Sequence, residues 1–149
     1  MEIKIEDIKA LRDVTGAGVM DARKALEASE GDMAKAKEYL KAKGVERAQK
    51  KSDREIKAGA IFSYIHGTKV GSMVKMGCET DFVAKNDEFI KVGNEIAMQV
   101  AAMGPENIEE LLEQDYIRDG SKKIKDLVTD VVSKTGENIV IAEISRLSF

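Results

Sequence analysis

Asp81 and Phe82 are adjacent, and together they offer hydrogen-bond acceptors and a large apolar ring to a neighbouring surface. They lie within residues 78–86, where an alternating apolar pattern ends and a helical spacing begins. Connectors of this kind run over the surface and often carry binding residues on a rigid scaffold. Asp81 and Phe82 are therefore suited to binding another molecule. The pattern alone also permits a second placement, in which Phe82 folds back to fill its own core.

Groups suited to catalysis are scarce in this chain, which has one histidine, His66, and one cysteine, Cys78. His66 precedes a glycine at the end of a strand pattern, which favours a solvent-facing or hairpin-stabilising side chain. Cys78 stands beside apolar neighbours, which favours an inert, half-buried thiol. The acidic stretch after Pro105 lacks the spacing of a calcium loop, and no Gly-Lys-Ser/Thr phosphate loop is present. We therefore expect no enzyme active site, no metal site and no cofactor.

Composition and charge describe an ordinary globular chain. Of 149 residues, 43% are hydrophobic, which is enough for one domain or two small ones. The 24 basic and 27 acidic residues leave a net charge of -3, which does not mark a general nucleic-acid binder. The amino terminus lacks the apolar core of a signal peptide, and no later apolar run is long enough to cross a bilayer. We expect a cytoplasmic protein.

The first unit, residues 1–45, is predicted to be a bundle of three short helices. Gly16 and Gly18 interrupt the first helical pattern, Gly31 ends the second, and Gly44 is placed to close the third. Residues 46–57 are rich in lysine and arginine and form either a linker or a helical extension. A solvated charged face is the ordinary explanation of such a run, although it could also touch phosphates.

The second unit, residues 58–149, is predicted to be an α+β domain. Its expected elements are a strand hairpin (60–66 and 70–78), a long helix (about 87–103), a short helical stripe (108–112), a helix capped by Ser121 and ended by Gly136, and a closing strand (139–147). The fold class is therefore a three-helix bundle followed by a three-stranded antiparallel sheet with helices packed on one face.

Three segments resemble a known family. The Thr80-Asp81-Phe82-Val83 core of residues 78–86 is similar to the segment that bacterial translation elongation factor Ts inserts into its partner GTPase, elongation factor Tu. Residues 11–26 resemble the amino-terminal signature of that family, and residues 136–139 resemble its entry into the closing strand. Order and spacing agree across essentially all 149 residues.

The resemblance implies a ubiquitin-associated-like fold for the bundle and a specific activity. That activity is guanine-nucleotide exchange on elongation factor Tu, with GDP released by dislocation of Mg²⁺ and GTP then rebound during protein synthesis. The residues implied to bind the partner are Arg12, Val19, Met20, Thr80, Asp81, Phe82 and Val83, of which the last four act on the partner's Mg²⁺ site. Many members carry methionine where this chain has Val19. Periodicity alone would place Met20 in the core, whereas the resemblance implies that it is exposed.

The length of the chain bears on its assembly. Many relatives carry a second copy of the α+β half and a coiled-coil insertion, whereas this sequence has one half, and some short relatives pair two chains. We therefore expect a homodimer through the α+β unit. A competing function is an RNA-associated module that uses the basic linker together with Phe62 and Tyr64 of the hairpin.

Overall fold

Three helices form the amino-terminal unit of the computed structural model, which describes residues 2–149. They are α1 (Ile5–Thr15), α2 (Val19–Ala28) and α3 (Met33–Lys51). Their shared core consists of five fully buried side chains: Leu11, Ala22, Ala25, Leu26 and Ala36. Three of the five are alanines, so the helices approach each other closely around two leucines.

The third helix does not end at Gly44, as predicted, but continues to Lys51. Of the two alternatives for the basic stretch, this agrees with a helical extension up to that residue. A glycine inside a helix costs only about 1 kcal/mol relative to alanine, and the residues that follow Gly44 include good helix formers such as Arg47 and Ala48. The chain divides into its two units within this helix, between Arg47 and Ala48. The basic stretch is therefore helical over its first part.

A three-stranded antiparallel sheet organises the second unit, as predicted. Its strands are β1 (Ala58–His66), β2 (Val70–Cys78) and β5 (Val140–Ser148), and β2 lies in the middle. Phe62 pairs with Val74, which pairs in turn with Ile144. Phe62, Val74 and Met76 are buried on the face covered by helices, so the sheet packs one side against the core.

The remaining elements lie between β2 and β5. They are α4 (Asp81–Ala84), α5 (Asp87–Met103), α6 (Ile108–Glu113), β3 (Asp115–Tyr116), β4 (Asp119–Lys123) and α7 (Ile124–Thr135). Gly104 and Gly136 adopt the left-handed conformation directly after α5 and α7, which glycine tolerates without a Cβ clash. Both helix ends were predicted from the sequence.

The β3–β4 hairpin was not predicted, and it corrects the expected start of α7. Ser121 does not cap this helix, because it lies in β4 and its hydroxyl donates to Asp119 Oδ1 at 2.6 Å. The helix begins at Ile124, and the preceding Lys123 N–H donates to Asp126 Oδ2 at 2.9 Å. A local turn bond thus competes successfully for the serine.

Gln99 on α5 holds the hairpin in place. Its side chain is fully buried, and its Nε2 donates to the carbonyl oxygen of Asp115 at 3.0 Å. Its Oε1 accepts from the Ile117 N–H at 3.0 Å. A buried amide costs free energy unless it is bonded, and here both ends of the amide have protein partners.

The packing of α5 on the sheet depends on Gly93. A Cβ atom at this position would lie 2.2 Å from Cε2 of Phe62. The Phe62 ring is itself held edge-on against Phe89, with ring centroids 5.7 Å apart. Close contact between this helix and β1 therefore requires a residue without a side chain.

We expect Gly93→Ala to destabilise the second unit by on the order of 1 to 3 kcal/mol, the usual cost of overpacking a core. The gain in helix propensity, about 1 kcal/mol, opposes this cost but does not cancel it, because the crowded ring is buried and packed against Phe89. Chemical denaturation measures the difference. Gly120→Ala is the matched control, since no atom lies within 4 Å of its added Cβ. Equal stability of the two variants would contradict the packing argument.

Candidate functional site

Two helix caps shape the connector between β2 and α5. Thr80 caps α4, because its Oγ1 accepts from the Val83 N–H at 3.4 Å. Asn86 caps α5, because its Oδ1 accepts from the Glu88 N–H at 2.8 Å. Threonine and asparagine are favoured at such positions because their oxygens satisfy otherwise unpaired backbone donors. The chain therefore makes a single helical turn, Asp81–Ala84, between the sheet and the long helix.

Phe82 projects from this turn into solvent. Its side chain is 90% exposed, whereas Val83, the next residue, is 7% exposed and packs into the core. Successive side chains on a helix point about 100° apart, so anchoring Val83 inward turns Phe82 outward. Of the two placements that the sequence allowed, the structure has the exposed one. A phenyl ring left in water gains hydrophobic free energy only when another surface covers it.

The other predicted residues of this segment are the neighbours of Phe82 along the chain. Asp81 is exposed beside it, and its backbone carbonyl accepts from the Lys85 N–H at 3.3 Å. Thr80 is exposed but bonded, and Val83 is the buried anchor. The turn thus presents an acid and an aromatic ring together, and the bonded Thr80 and the buried Val83 hold it in place.

Cys78 precedes the turn and is fully buried, which is a deeper placement than the half-buried one expected from the sequence. Burial raises the pKa of its thiol, and the nearby Glu137 carboxylate raises it further. The protonated Sγ donates to the Thr80 carbonyl oxygen at 3.3 Å. The thiol therefore acts as a structural donor at the end of β2.

A carboxylate from a distant segment also reaches this connector. Glu137 follows the Gly136 cap of α7, and its Oε1 accepts from the backbone N–H groups of Glu79 at 3.0 Å and Thr80 at 2.9 Å. Its Oε2 accepts from the Thr80 hydroxyl at 2.6 Å. Sequence reasoning noted Glu137 only as part of a family segment and gave it no role. An acid beside a helix-ending glycine was the available signal, but its target could not be read from the chain.

The remaining predicted residues lie in the amino-terminal unit. Arg12 is exposed near the end of α1, and its Nε donates to the Ala17 carbonyl oxygen at 3.2 Å. Val19 and Met20 begin α2 and are 50% and 62% exposed, so Met20 is not a core residue. Val14 is also exposed, at 63%. The turn between α1 and α2 therefore carries several apolar side chains that nothing in this unit covers.

One ion pair fixes this part of the bundle. Arg47 on α3 donates from Nη1 and Nη2 to the two carboxylate oxygens of Asp21 on α2, at 3.1 and 3.0 Å. The bonds from Arg47 lower the pKa of Asp21, so the acid stays ionised. A bidentate pair of this kind restrains the orientation of the two side chains as well as their distance. Asp21, one member of the pair, directly follows Met20 in the sequence.

Within residues 2–149, no group of three or more histidine, cysteine, aspartate or glutamate side chains is arranged to hold a metal ion. His66 stacks on Tyr64, and its Nδ1 lies 3.0 Å from the tyrosine hydroxyl. Over the same part of the chain, no helix has the length and apolar character needed to span a membrane.

The hairpin aromatics bear on the alternative of an RNA-binding surface. Phe62 is only 6% exposed and lies beneath α5, so its ring is not available to stack on a base. Tyr64 is partly buried on the same side of β1. Stacking platforms for single-stranded nucleic acid need exposed ring faces, and this hairpin turns its rings inward.

Comparison with known proteins gives a consistent result. A family model described as elongation factor TS matches residues 79–149. Elongation factor Ts from Thermodesulfovibrio yellowstonii is 39% identical over 190 aligned positions, which cover 98% of this chain and 96% of that protein. Elongation factor Ts from Thermotoga maritima is 40% identical with the same coverage. The protein of that name from Clostridium botulinum is 44% identical over 147 positions, and these span 48% of its length.

The alignments also show how this chain differs in length. With the first two relatives, 190 aligned positions against 149 residues leave at least 41 positions that face no residue of this chain. The similarity nevertheless runs through both units, since almost the whole chain is aligned. The resemblance predicted from three short motifs is confirmed. The chain belongs to the elongation factor Ts family.

Proposed function

We propose that this protein is a cytoplasmic guanine-nucleotide exchange factor for elongation factor Tu. In this function it binds the GDP-bound GTPase, promotes release of GDP and leaves a nucleotide-free complex that GTP can enter during protein synthesis. The observation that carries the proposal is the exposed Phe82 beside the buried Val83, on a turn that is fixed at both ends. The factor makes and breaks no covalent bond and requires no cofactor of its own.

The turn acts on the partner's magnesium site. A GTPase holds its nucleotide through backbone contacts to the phosphates and through Mg²⁺, which bridges phosphate and protein oxygens. Phe82 enters an apolar crevice of the GTPase, and Asp81 offers acceptor oxygens to groups that otherwise support the Mg²⁺ shell. Thr80 and Val83 keep these two side chains in position. Once the ion is displaced, the phosphates lose part of their charge compensation and GDP leaves.

The energies require more than one contact. Burying an aromatic side chain stabilises a complex by about 1.5 to 3 kcal/mol, which corresponds to roughly 10- to 150-fold in an equilibrium constant. Release of a tightly held nucleotide needs a larger change. The apolar side chains of Val19 and Met20, together with Arg12, supply a second contact from the amino-terminal unit. Val19 reaches less far than the methionine found in many relatives, so Met20 contributes most there.

Exchange of this kind is a coupling between two ligands of the GTPase. If the factor lowers the affinity for GDP, then GDP lowers the affinity for the factor by the same ratio. The factor therefore accelerates exchange in both directions, and cellular nucleotide concentrations set the net direction. Magnesium belongs to the GTPase in this scheme, and direct contact with nucleic acid forms no part of it.

We further propose that two copies of the chain pair through the outer face of the sheet. Four apolar side chains on this face are each more than half exposed: Ile61, Ile65, Met73 and Leu147. Their strands lie side by side, so the four lie on one face opposite the helices, which also carries Lys75 and Glu143 in the row of Ile61. Large exposed apolar side chains grouped on one face are typical of interfaces. A second copy would cover it and bring two turns into one assembly.

Replacing Phe82 with alanine should slow stimulated GDP release by roughly 10- to 150-fold, the value of the ring's burial. Stopped-flow fluorescence with labelled GDP on elongation factor Tu measures the rate over a range of factor concentrations. The melting temperature should not fall, because the ring touches little of its own protein. Ile117→Ala is the matched control, since that apolar side chain is also exposed and lies outside both the Thr80–Val83 segment and the three-stranded sheet. Release at the wild-type rate by Phe82→Ala would remove the turn from the mechanism.

Light scattering at micromolar concentration should give twice the chain mass of 16.4 kDa. Met73→Lys should give a monomer, because a charge at the centre of the sheet face cannot be buried without a partner. Ile117→Lys, which places the same charge on an exposed residue outside this sheet, should remain dimeric. A wild-type monomer that exchanges nucleotide efficiently would contradict pairing and leave the exchange function intact.

A further inference from the structure

Glu137 and Glu79 hold two distant segments together by exchanging bonds. The Glu137 carboxylate accepts three donors from Glu79 and Thr80, at 3.0, 2.9 and 2.6 Å. In return, Glu79 Oε1 accepts from the Asn138 N–H at 2.6 Å. Residues 79–80 and 137–138 are far apart in sequence, and each segment accepts hydrogen bonds from backbone donors of the other. We name this arrangement, formed by Glu79, Thr80, Glu137 and Asn138, the carboxylate clasp.

The carboxylate clasp is itself fastened to a third segment. The buried Asn138 donates from Nδ2 to the Arg54 carbonyl oxygen at 2.9 Å and to that of Ser52 at 3.4 Å. Arg54 Nη1 lies 3.6 Å from Glu79 Oε1 and donates to the Gly136 carbonyl oxygen at 3.2 Å. Because bonds to charged groups are stronger than neutral ones, this arrangement holds residues 79–80 firmly against the body of the α+β unit.

The bond to Thr80 determines how the hydroxyl is oriented. The Thr80 hydroxyl donates its hydrogen bond to Glu137 Oε2, so the lone pairs of the hydroxyl oxygen remain free to accept from the Val83 N–H. That second bond is the cap of α4. A helix of four residues has no stability of its own, because nucleation costs more than one turn returns. The direction of α4, and with it that of Phe82, therefore depends on groups outside the turn.

We propose that Glu137 is a positioning residue for nucleotide exchange, holding Thr80 so that Phe82 and Asp81 are oriented before the GTPase is met. The inference rests on the proposed function and extends it to a residue outside the Thr80–Val83 segment. Each residue that must be ordered on binding lowers affinity by roughly 5- to 30-fold. A turn that is already ordered avoids this loss, so the ring's full burial energy acts on the partner.

The test compares Glu137→Ala and Glu137→Gln in stimulated GDP release, alone and combined with Phe82→Ala. Glu137→Ala removes all three bonds and should slow release on the order of tenfold or more, as expected for bonds to a charged group. Glu137→Gln keeps an oxygen for the two backbone donors and should lie between Glu137→Ala and the wild type. Glu113→Ala is the matched control, because that exposed acid bonds to Lys123 and Lys125 and lies on α6.

Two readouts separate positioning from general stability. If Glu137 acts through Phe82 and Asp81, the loss of rate in the double variant should be smaller than the product of the two single losses, whereas independent effects would multiply. Amide hydrogen exchange of the free protein should become faster at Glu79, Thr80 and Val83 in Glu137→Ala, with the core of α5 still protected. If that variant does not fold, Glu137→Gln carries the same comparison.

The outcomes distinguish this inference from the function on which it rests. A slow Phe82→Ala together with a Glu137→Ala that releases GDP at the wild-type rate overturns the positioning role and leaves the proposed function standing. Multiplicative losses in the double variant also overturn it, because Glu137 would then act elsewhere. Wild-type release by Phe82→Ala overturns both the role of Phe82 in exchange and the positioning role of Glu137. This outcome is measured on the single variant, so it does not depend on any result at Glu137.

Discussion

The burial of Val83 is the constraint on which the candidate site depends. Because this side chain enters the core of the α+β unit, the single turn that carries it can face only one way, and the neighbouring Phe82 must point into solvent. The arrangement leaves a large apolar ring unsatisfied in the free protein. Burial of this ring therefore contributes nothing to folding, and it would become favourable only if another surface covered the ring. An exposed ring is ordinarily a liability, and here it is held in place by bonds on both sides.

The elements on either side of that turn are both anchored in the core of the unit. Cys78 ends β2 in the core, and Asn86 caps α5, whose close contact with β1 is possible because Gly93 admits the ring of Phe62. Interiors are packed at high density, so a shift of α5 would be transmitted to its first turn and from there to Phe82. The packing of helix on sheet and the geometry of the exposed turn are therefore one problem.

Polar contacts add what packing alone does not supply. The one-turn helix has too few internal hydrogen bonds to be stable by itself. The Glu137 carboxylate, which follows α7, accepts hydrogen bonds from Glu79 and Thr80 directly before this helix. The amino-terminal unit follows a similar pattern on a smaller scale, since the exposed Met20 adjoins Asp21, which Arg47 holds with two bonds. In both places an exposed apolar side chain stands beside a charged group that restrains the local backbone. An ordered, exposed apolar side chain is the feature that the proposed exchange function requires for binding its partner.

Periodicity and caps in the sequence determined the α+β class, the order of the main elements and the helix ends at Gly104 and Gly136, because these depend on neighbours close along the chain. The motif around Phe82 also identified the family. Local patterns were not enough in two places: α3 runs past Gly44, because the residues that follow favour a helix, and Ser121 bonds to Asp119 instead of capping α7. The tertiary structure decided between the two placements that the pattern left open for Phe82, because the exposure of a side chain in a connector depends on what the folded chain places above it. It alone brought Glu137 to Thr80, since a bond between residues 57 positions apart in sequence leaves no periodic trace.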